Sequence, residues 1–341
     1  MSVIALADLD GRRATALWQD GRLEDLFIDA PEDDPTPRPG AIHAARVERP
    51  LKGLGGCLLA LADGQTGFLR EARGLAPGDR VLVQVSTYAE RGKSAPVTRR
   101  ILFKSRYVII TPDAPGLNVA RAIRDEERRD DLRSLAHDVA PETPFGMILR
   151  SSCAAAEDGD IAADIAETCA LAEQVMADDA PAPALLVDGP GAELLAWRDW
   201  PTDAEVIPQG GFDQLDIWSE LDALAAPRFD LPGGAWMAIE QTAALTLVDV
   251  NTGGDLSPAA CLKANRQAAQ ALPRALRLKG LGGQVLVDFA PMGKKDRREM
   301  ETLLRRNLKA CPVETSFAGW SNLGLAELVR KRERRPFGEV I

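Results

Sequence analysis

The sequence is poor in the residues that most often carry catalysis at neutral pH. Its 341 residues include two histidines, His43 and His137, and neither stands near a Ser or Cys nucleophile signature. Histidine-based acid–base chemistry and multi-histidine metal sites are therefore hard to build. The five cysteines (Cys57, Cys153, Cys169, Cys261, Cys311) contain no CxxC pair. Odd in number and scattered singly, they suit a reducing compartment better than a disulfide framework, and a structural zinc is not expected. No apolar run approaches the roughly 20 residues of a membrane helix. The start, MSVIALADLDGRR, has acidic residues where a secretory signal needs a basic segment, so the expectation is a cytoplasmic protein with no membrane partner. Chemistry must then run on carboxylates, basic side chains and a hard metal ion.

Charge is abundant, and its distribution matters more than its total. The chain carries 51 acidic and 41 basic side chains, a net of −10, with 45% hydrophobic residues. That total would ordinarily count against a nucleic-acid partner, because phosphate neutralisation supplies most non-specific affinity. Residues 155–205, however, hold thirteen acids and a single base, Arg198. Outside that stretch the chain is nearly neutral and has basic segments. Residues 91–107 carry Arg91, Lys93, Arg99, Arg100, Lys104 and Arg106 with no acid, and 291–341 hold twelve bases against seven acids. Taken alone, either segment could be a solvated face.

The chain reads as a mixed α/β, multidomain protein. Residues 3–30 form a hairpin meander with Asp10-Gly11 and Asp20-Gly21 as turns, closed by the proline-rich PEDDPTPRPG. Between Ala41 and Phe103, five short alternating runs separated by Gly and Pro turns have the rhythm of an OB-type barrel. There Phe68, Arg91, Lys93 and Arg99 are candidates for single-strand binding, with barrel core the plain alternative for Phe68. A strand at RYVIITP, a helical stretch Val119–Ala136, a strand at FGMILRSS and an acidic helix over 157–177 follow. Further on, AWMAIEQ and ALTLVDV read as a hairpin. Ser257-Pro258 caps a helix that runs to Lys279, and QVLVDFAPM is a second buried strand. Strand, crossover helix, strand makes a parallel pair, whose ligands bind beyond the carboxyl ends of the strands.

Asp249 and Asp288 stand late in these two strands. Placed side by side at one sheet edge, the carboxylates would repel, and a hard divalent cation such as Mg²⁺ relieves the repulsion while water and a phosphate complete its shell. Asn251 points to the same side as Asp249. Lys294, Lys295, Arg297 and Arg298 can clamp phosphates. A metal in such a place can activate a water against a phosphodiester without any histidine. Each aspartate alone would more often be a turn or cap residue; two at equivalent ends of one unit leave turn or cap and chemistry about even.

FDLPGG, IEQTAALTLVDVNTGGDL, ANRQAAQALPRALRLKGLGGQVLVDFAPM and SNLGLAELVRKR resemble, in that order, the catalytic core of the ribonuclease E/G family, endoribonucleases that cut single-stranded RNA with Mg²⁺. The resemblance implies an RNase H-like subdomain in two parts, 1–40 and 183–224. Between them it implies an inserted S1-type OB-fold domain at 41–104 and a 5′-end sensor region at 105–182, with a DNase I-like catalytic subdomain at 225–341. It implies Asp249 and Asp288 as magnesium ligands, with Mn²⁺ able to substitute, and Asn251 as a catalytic residue. Arg150 and Ser151 would grip a 5′ monophosphate, with Ser105 and Ile109 completing that pocket. Phe68 and Lys93 would contact RNA.

Departures accompany the resemblance. Leu58 stands where the family has a second barrel aromatic, and Ser105 replaces a glycine. Pro291 takes the place of a second aspartate after Asp288, the loop after Asn251 is shortened, and Pro273 falls inside the crossover helix, where a kink is expected. The family's zinc-link cysteines are missing, so any homo-oligomer is expected not to be zinc-linked. The expected activity is Mg²⁺-dependent cleavage of single-stranded RNA that favours 5′-monophosphorylated ends, in RNA processing or decay. The alternative is an RNA-binding member with a degenerate, non-cleaving site.

Overall fold

The computed structural model describes residues 1–70 and 72–341, without the side chain of Lys52. The chain opens with an antiparallel meander, β1 (Ser2–Leu9), β2 (Arg12–Gln19) and β3 (Arg22–Ile28). Both of its turns, Asp10-Gly11 and Asp20-Gly21, have positive φ at each residue, the geometry whose twist matches that of paired strands. These strands belong to a first compact unit, Met1–Glu32 with Glu205–Ile341, into which a second unit, Asp33–Ala204, is inserted.

The second unit begins with β4 (Ile42–Leu51), β5 (Gly56–Ala60), β6 (Thr66–Arg70), β7 (Arg80–Val85) and β8 (Ala95–Thr98). They pair in the order β4-β5-β6-β8-β7, and β7 pairs back onto β4. The result is a closed five-stranded barrel, as the strand rhythm predicts, and it fits an OB-like domain. Alternate residues such as Val47, Leu59, Leu69, Val81, Val83 and Val97 fill it. Gly56 is required by close approach, since a Cβ there would lie 2.3 Å from the Leu69 carbonyl and 2.9 Å from the Phe68 ring.

A second sheet follows, ordered β11-β12-β10-β9 from β9 (Phe103–Lys104), β10 (Val108–Thr111), β11 (Leu117–Val119) and β12 (Gly146–Leu149). Helices α1 (Glu126–Val139) and α2 (Asp158–Met176) contribute to its core through Leu132, Ile161 and Ile165. Helix α1 starts later than the charge-rich stretch suggests. Its start is set by Asp125, whose carboxylate accepts from the N–H groups of Glu127 and Arg128, while Val119 ends β11 and residues 120–124 form a turn and an irregular link. The unit ends with β13 (Ala184–Val187), paired to β4, and α3 (Ala192–Asp199).

The first unit resumes with β14 (Glu205–Ile207), parallel to β1, and with α4 (Gly211–Gln214) and α5 (Ile217–Ala225). Phe212, Ile217 and Leu221 from these helices pack with Ala5, Ala14, Ala16 and Leu23 of the meander. The six-stranded sheet that follows comprises β15 (Arg228–Asp230), β16 (Trp236–Gln241), β17 (Thr246–Asn251), β18 (Gly283–Asp288), β19 (Thr315–Trp320) and β20 (Ala326–Arg330). Its order is β15-β16-β17-β18-β20-β19. Strands β17 and β18 run parallel, joined by α6 (Pro258–Leu278), and their other neighbours are antiparallel. Helix α7 (Lys294–Ala310) links β18 to β19, and α8 (Phe337–Val340) ends the fold.

Val248, Val250, Val285, Val287 and Leu328 face α6 and α7 through Ala268, Leu272, Leu276, Met300 and Leu304. Residues of opposite parity, including Leu247, Asp249, Gln284, Asp288 and Val329, are exposed. Helix α6 is capped by Ser257, whose Oγ accepts from the Ala260 N–H at 3.3 Å. It continues as one helix through Pro273. The proline removes the donor that would reach the Ala269 carbonyl, and Asn307 of α7 supplies a replacement from Nδ2 at 3.1 Å.

Candidate active site

The parallel pair places two carboxylates at one edge of the sheet. Asp249 and Asp288 are Cα partners at the last registered position of β17 and β18. Directly paired residues share a sheet face, and the buried valines on either side of Asp249 turn this pair onto the exposed face. Asn251, two residues beyond Asp249, stays on that face, and its Nδ2 donates to Asp249 Oδ2 at 2.8 Å. The amide thus orients the carboxylate. Beyond it, Gly253 has φ +79°, and a Cβ there would come within 2.3 Å of the Gly234 carbonyl. Glycine lets the turn after β17 pack on the turn before β16.

Asn265 was not among the residues the sequence singled out. It is fully buried in α6. Its Nδ2 donates to the Ala290 carbonyl and its Oδ1 accepts from the Ala290 N–H, both at 2.9 Å. This two-point clamp fixes the backbone two residues after Asp288. The available signal was an amide among the apolar positions Ala264, Ala268, Ala269 and Leu272 of an amphipathic helix.

Among the described residues no three or more His, Cys, Asp or Glu side chains gather as a metal cluster. A cation at this edge would accordingly be held by two carboxylates and water, a donor set that suits Mg²⁺, which keeps several waters and takes one or two carboxylates. The basic residues after Asp288 divide in two. Lys294, Lys295 and Arg298 are exposed at the start of α7. Arg297 instead lies 5.0 Å over the Trp320 ring, which in turn is 6.1 Å from Phe289.

In the second unit, Arg150 and Ser105 come together, because Arg150 Nη1 donates to the Ser105 carbonyl. Ile109 lies half-buried on β10, and Ser151 is exposed just after β12. Arg150 also binds Asp199 at 2.8 Å, a partner the sequence did not indicate. In the barrel, Phe68 is half-buried on β6, opposite Leu58 of β5 and Pro96 of β8. Lys93, just before β8, is 66% exposed and pairs with Glu90.

Comparison with known proteins places the chain among relatives. The sequence signature of the Ribonuclease E/G family matches residues 103–207 and 202–333. Ribonuclease G of Salmonella typhimurium (strain SL1344) is 29% identical over 306 residues, covering 77% of this chain and 62% of that protein. Ribonuclease E of Synechocystis sp. (strain ATCC 27184 / PCC 6803 / Kazusa) is 26% identical over 385 residues, covering 96% of this chain and 56% of its own length. Ribonuclease E of Nostoc sp. (strain PCC 7120 / SAG 25.82 / UTEX 2576) is 28% identical over 359 residues, with 88% and 52% covered. The chain thus spans less than two thirds of the length of these relatives. With a signature that extends over most of its length, the chain belongs to the ribonuclease E/G family.

Proposed function

We propose that the protein is a Mg²⁺-dependent endoribonuclease that hydrolyses single-stranded RNA, acting in RNA processing or decay. The observation that carries this reading is the in-register pair Asp249 and Asp288 at the carboxyl edge of a βαβ unit, the place where such units bind ligands. The relatives named ribonuclease G and ribonuclease E support it. Asp249 and Asp288 would hold the cation, Asn251 orients the Asp249 carboxylate through its hydrogen bond, and the exposed Lys294, Lys295 and Arg298 would bind flanking phosphates. Mg²⁺ bound there supplies a water of lowered pKa and offsets charge on the phosphodiester.

In the same reading the segments keep the roles implied by the family. Residues 1–40 with 183–224 are RNase H-like, 41–104 is an S1-type domain that meets RNA through Phe68 and Lys93, and 225–341 is the DNase I-like catalytic part. Residues 105–182 hold the site for the RNA 5′ end, formed by Arg150, Ser151, Ser105 and Ile109.

The test is cleavage of a short labelled single-stranded RNA with and without Mg²⁺ by wild type, Asp249→Asn and Asp288→Asn. Cleavage is expected to require the metal and to fall by at least about a thousandfold in either variant, on the scale of lost charge stabilisation at a reacting centre. RNA binding should be largely retained, and cleavage that survives both changes would refute the assignment. Pro291, standing exposed where the family has an aspartate, favours a second reading, an RNA-binding protein that does not cut. Steeply salt-dependent RNA affinity with no cleavage in Mg²⁺ or Mn²⁺ would select it.

A further inference from the structure

The carboxyl end of α3 is gripped by three arginines. Arg150 Nη2 donates to Asp199 Oδ1 at 2.8 Å, and its Nη1 donates to the carbonyls of Ser105 and, at 3.1 Å, of Arg198. Arg198 closes on the same carboxylate, with Nη2 to Oδ2 at 2.7 Å and Nε to both oxygens at 3.1 Å. Arg106 donates to the Trp197 carbonyl and stands 5.2 Å from the centre of the Trp197 ring. A helix C-terminus carries partial negative charge. Together with the Asp199 carboxylate it offers these guanidinium groups an array of oxygen acceptors, as a phosphate monoester would.

The neighbouring donors are committed in the same way. Ser105 Oγ donates to Asp164 Oδ2 of α2, and the Tyr107 N–H donates to that oxygen at 2.8 Å. Arg150 and Asp199 retain 24% and 32% side-chain exposure, so solvent reaches the pair. Burial alone would raise the Asp199 carboxyl, but hydrogen bonds and charge from Arg198 and Arg150 hold it below the usual carboxylate range. It is therefore an anion at neutral pH. A terminal phosphate arriving here must displace one anion to install another, and the exchange returns little of the affinity that a vacant arginine site would give.

We propose that Asp199 is a specificity-determining residue, an internal anion that occupies the 5′-end site and makes the protein indifferent to a 5′ phosphate on its RNA. The inference rests on the assignment of Arg150 and Ser105 to the RNA 5′ end, and it departs from the 5′-monophosphate preference that the family resemblance implies.

The experiment compares two single-stranded RNAs of one sequence, labelled at the 3′ end and carrying either a 5′ monophosphate or a 5′ hydroxyl. The kcat/KM ratio of the two is expected to stay within about twofold for wild type and to rise at least about fivefold in Asp199→Asn, the scale of a charge-assisted bond at a partly exposed site. Adding Arg150→Ala to Asp199→Asn should abolish the gain. Binding of the same RNAs without Mg²⁺, read by fluorescence anisotropy, should show the same pattern and needs no cleavage. A wild-type ratio already well above twofold overturns the proposal, as does an Asp199→Asn ratio unchanged in both measurements. Absence of cleavage with the binding pattern present rejects the endoribonuclease reading and keeps the role of Asp199. Should Asp199→Asn fail to fold, Asp199→Ala must raise the ratio in the same direction, since it too frees Arg150; no rise overturns the proposal.

Discussion

His43 lies on β4, 3% exposed, and among the described residues neither ring nitrogen has a hydrogen-bond partner. Burial lowers its pKa below the ordinary histidine value, with Asp188 and Asp63 pulling weakly the other way. The neutral ring is therefore the folded form, and the unfolded chain takes up a proton more readily. Stability linked to this group is complete above the unfolded histidine pKa and is lost as pH falls through the lower folded value. The urea midpoint of the wild type should accordingly drop between pH 7.5 and pH 5 by more than that of His43→Leu, measured over roughly that range. Equal drops would remove the assignment. The scarcity of histidine turned the reading of the sequence toward carboxylates. That one of the two rings would sit unpaired inside the barrel depends on which strand faces which, and no local pattern reports that.

At the scale of elements, the βαβ unit was readable in advance because each signal acts locally. Ser257-Pro258 starts α6, Gly280 follows its end, and two apolar runs end at Asp249 and Asp288. Their equal register required the sheet itself. What secures that register at the far end is Asn265, whose clamp on Ala290 bridges α6 to the segment leaving β18. Replacing it with Ala leaves the buried Ala290 N–H without its acceptor and opens a void. The expected loss is about 2–4 kcal/mol in denaturant unfolding, together with weaker RNA cleavage at saturating Mg²⁺. A loss under about 0.5 kcal/mol, the range of an ordinary surface change, would contradict the clamp. Pro273 teaches the complementary lesson. The sequence shows the missing donor, whereas the repair by Asn307 comes from another helix and is visible only after folding.

For the molecule as a whole, the charge tally separated acidic from basic stretches but could not say which charges turn inward. Asp164 and Asp199 belong to the acidic 155–205 stretch, yet they serve Ser105, Tyr107, Arg150 and Arg198 rather than solvent. Within the first unit Asp25, 6% exposed, pairs with Arg334 through Oδ2 to Nη2 at 2.9 Å and with Arg277 Nε at 3.4 Å, so strand β3 is tied to α6 and to the segment before α8. Asp25→Ala strands buried guanidinium charge and should cost about 3–5 kcal/mol, read as a lowered thermal midpoint; an unchanged midpoint would show the network to be dispensable. The insertion at Asp33–Ala204 also bears on how the protein is made. The apolar face of β1–β3 is completed by Phe212, Ile217, Leu221, Leu278 and Phe337, none of which exists until the ribosome has synthesised the entire inserted unit. The inserted unit is contiguous and reaches its own partners early, whereas the meander, although its strands pair locally, covers its apolar face only across a long loop closure, which slows folding and leaves that face open meanwhile. The meander is thus synthesised before the inserted unit and finished after it.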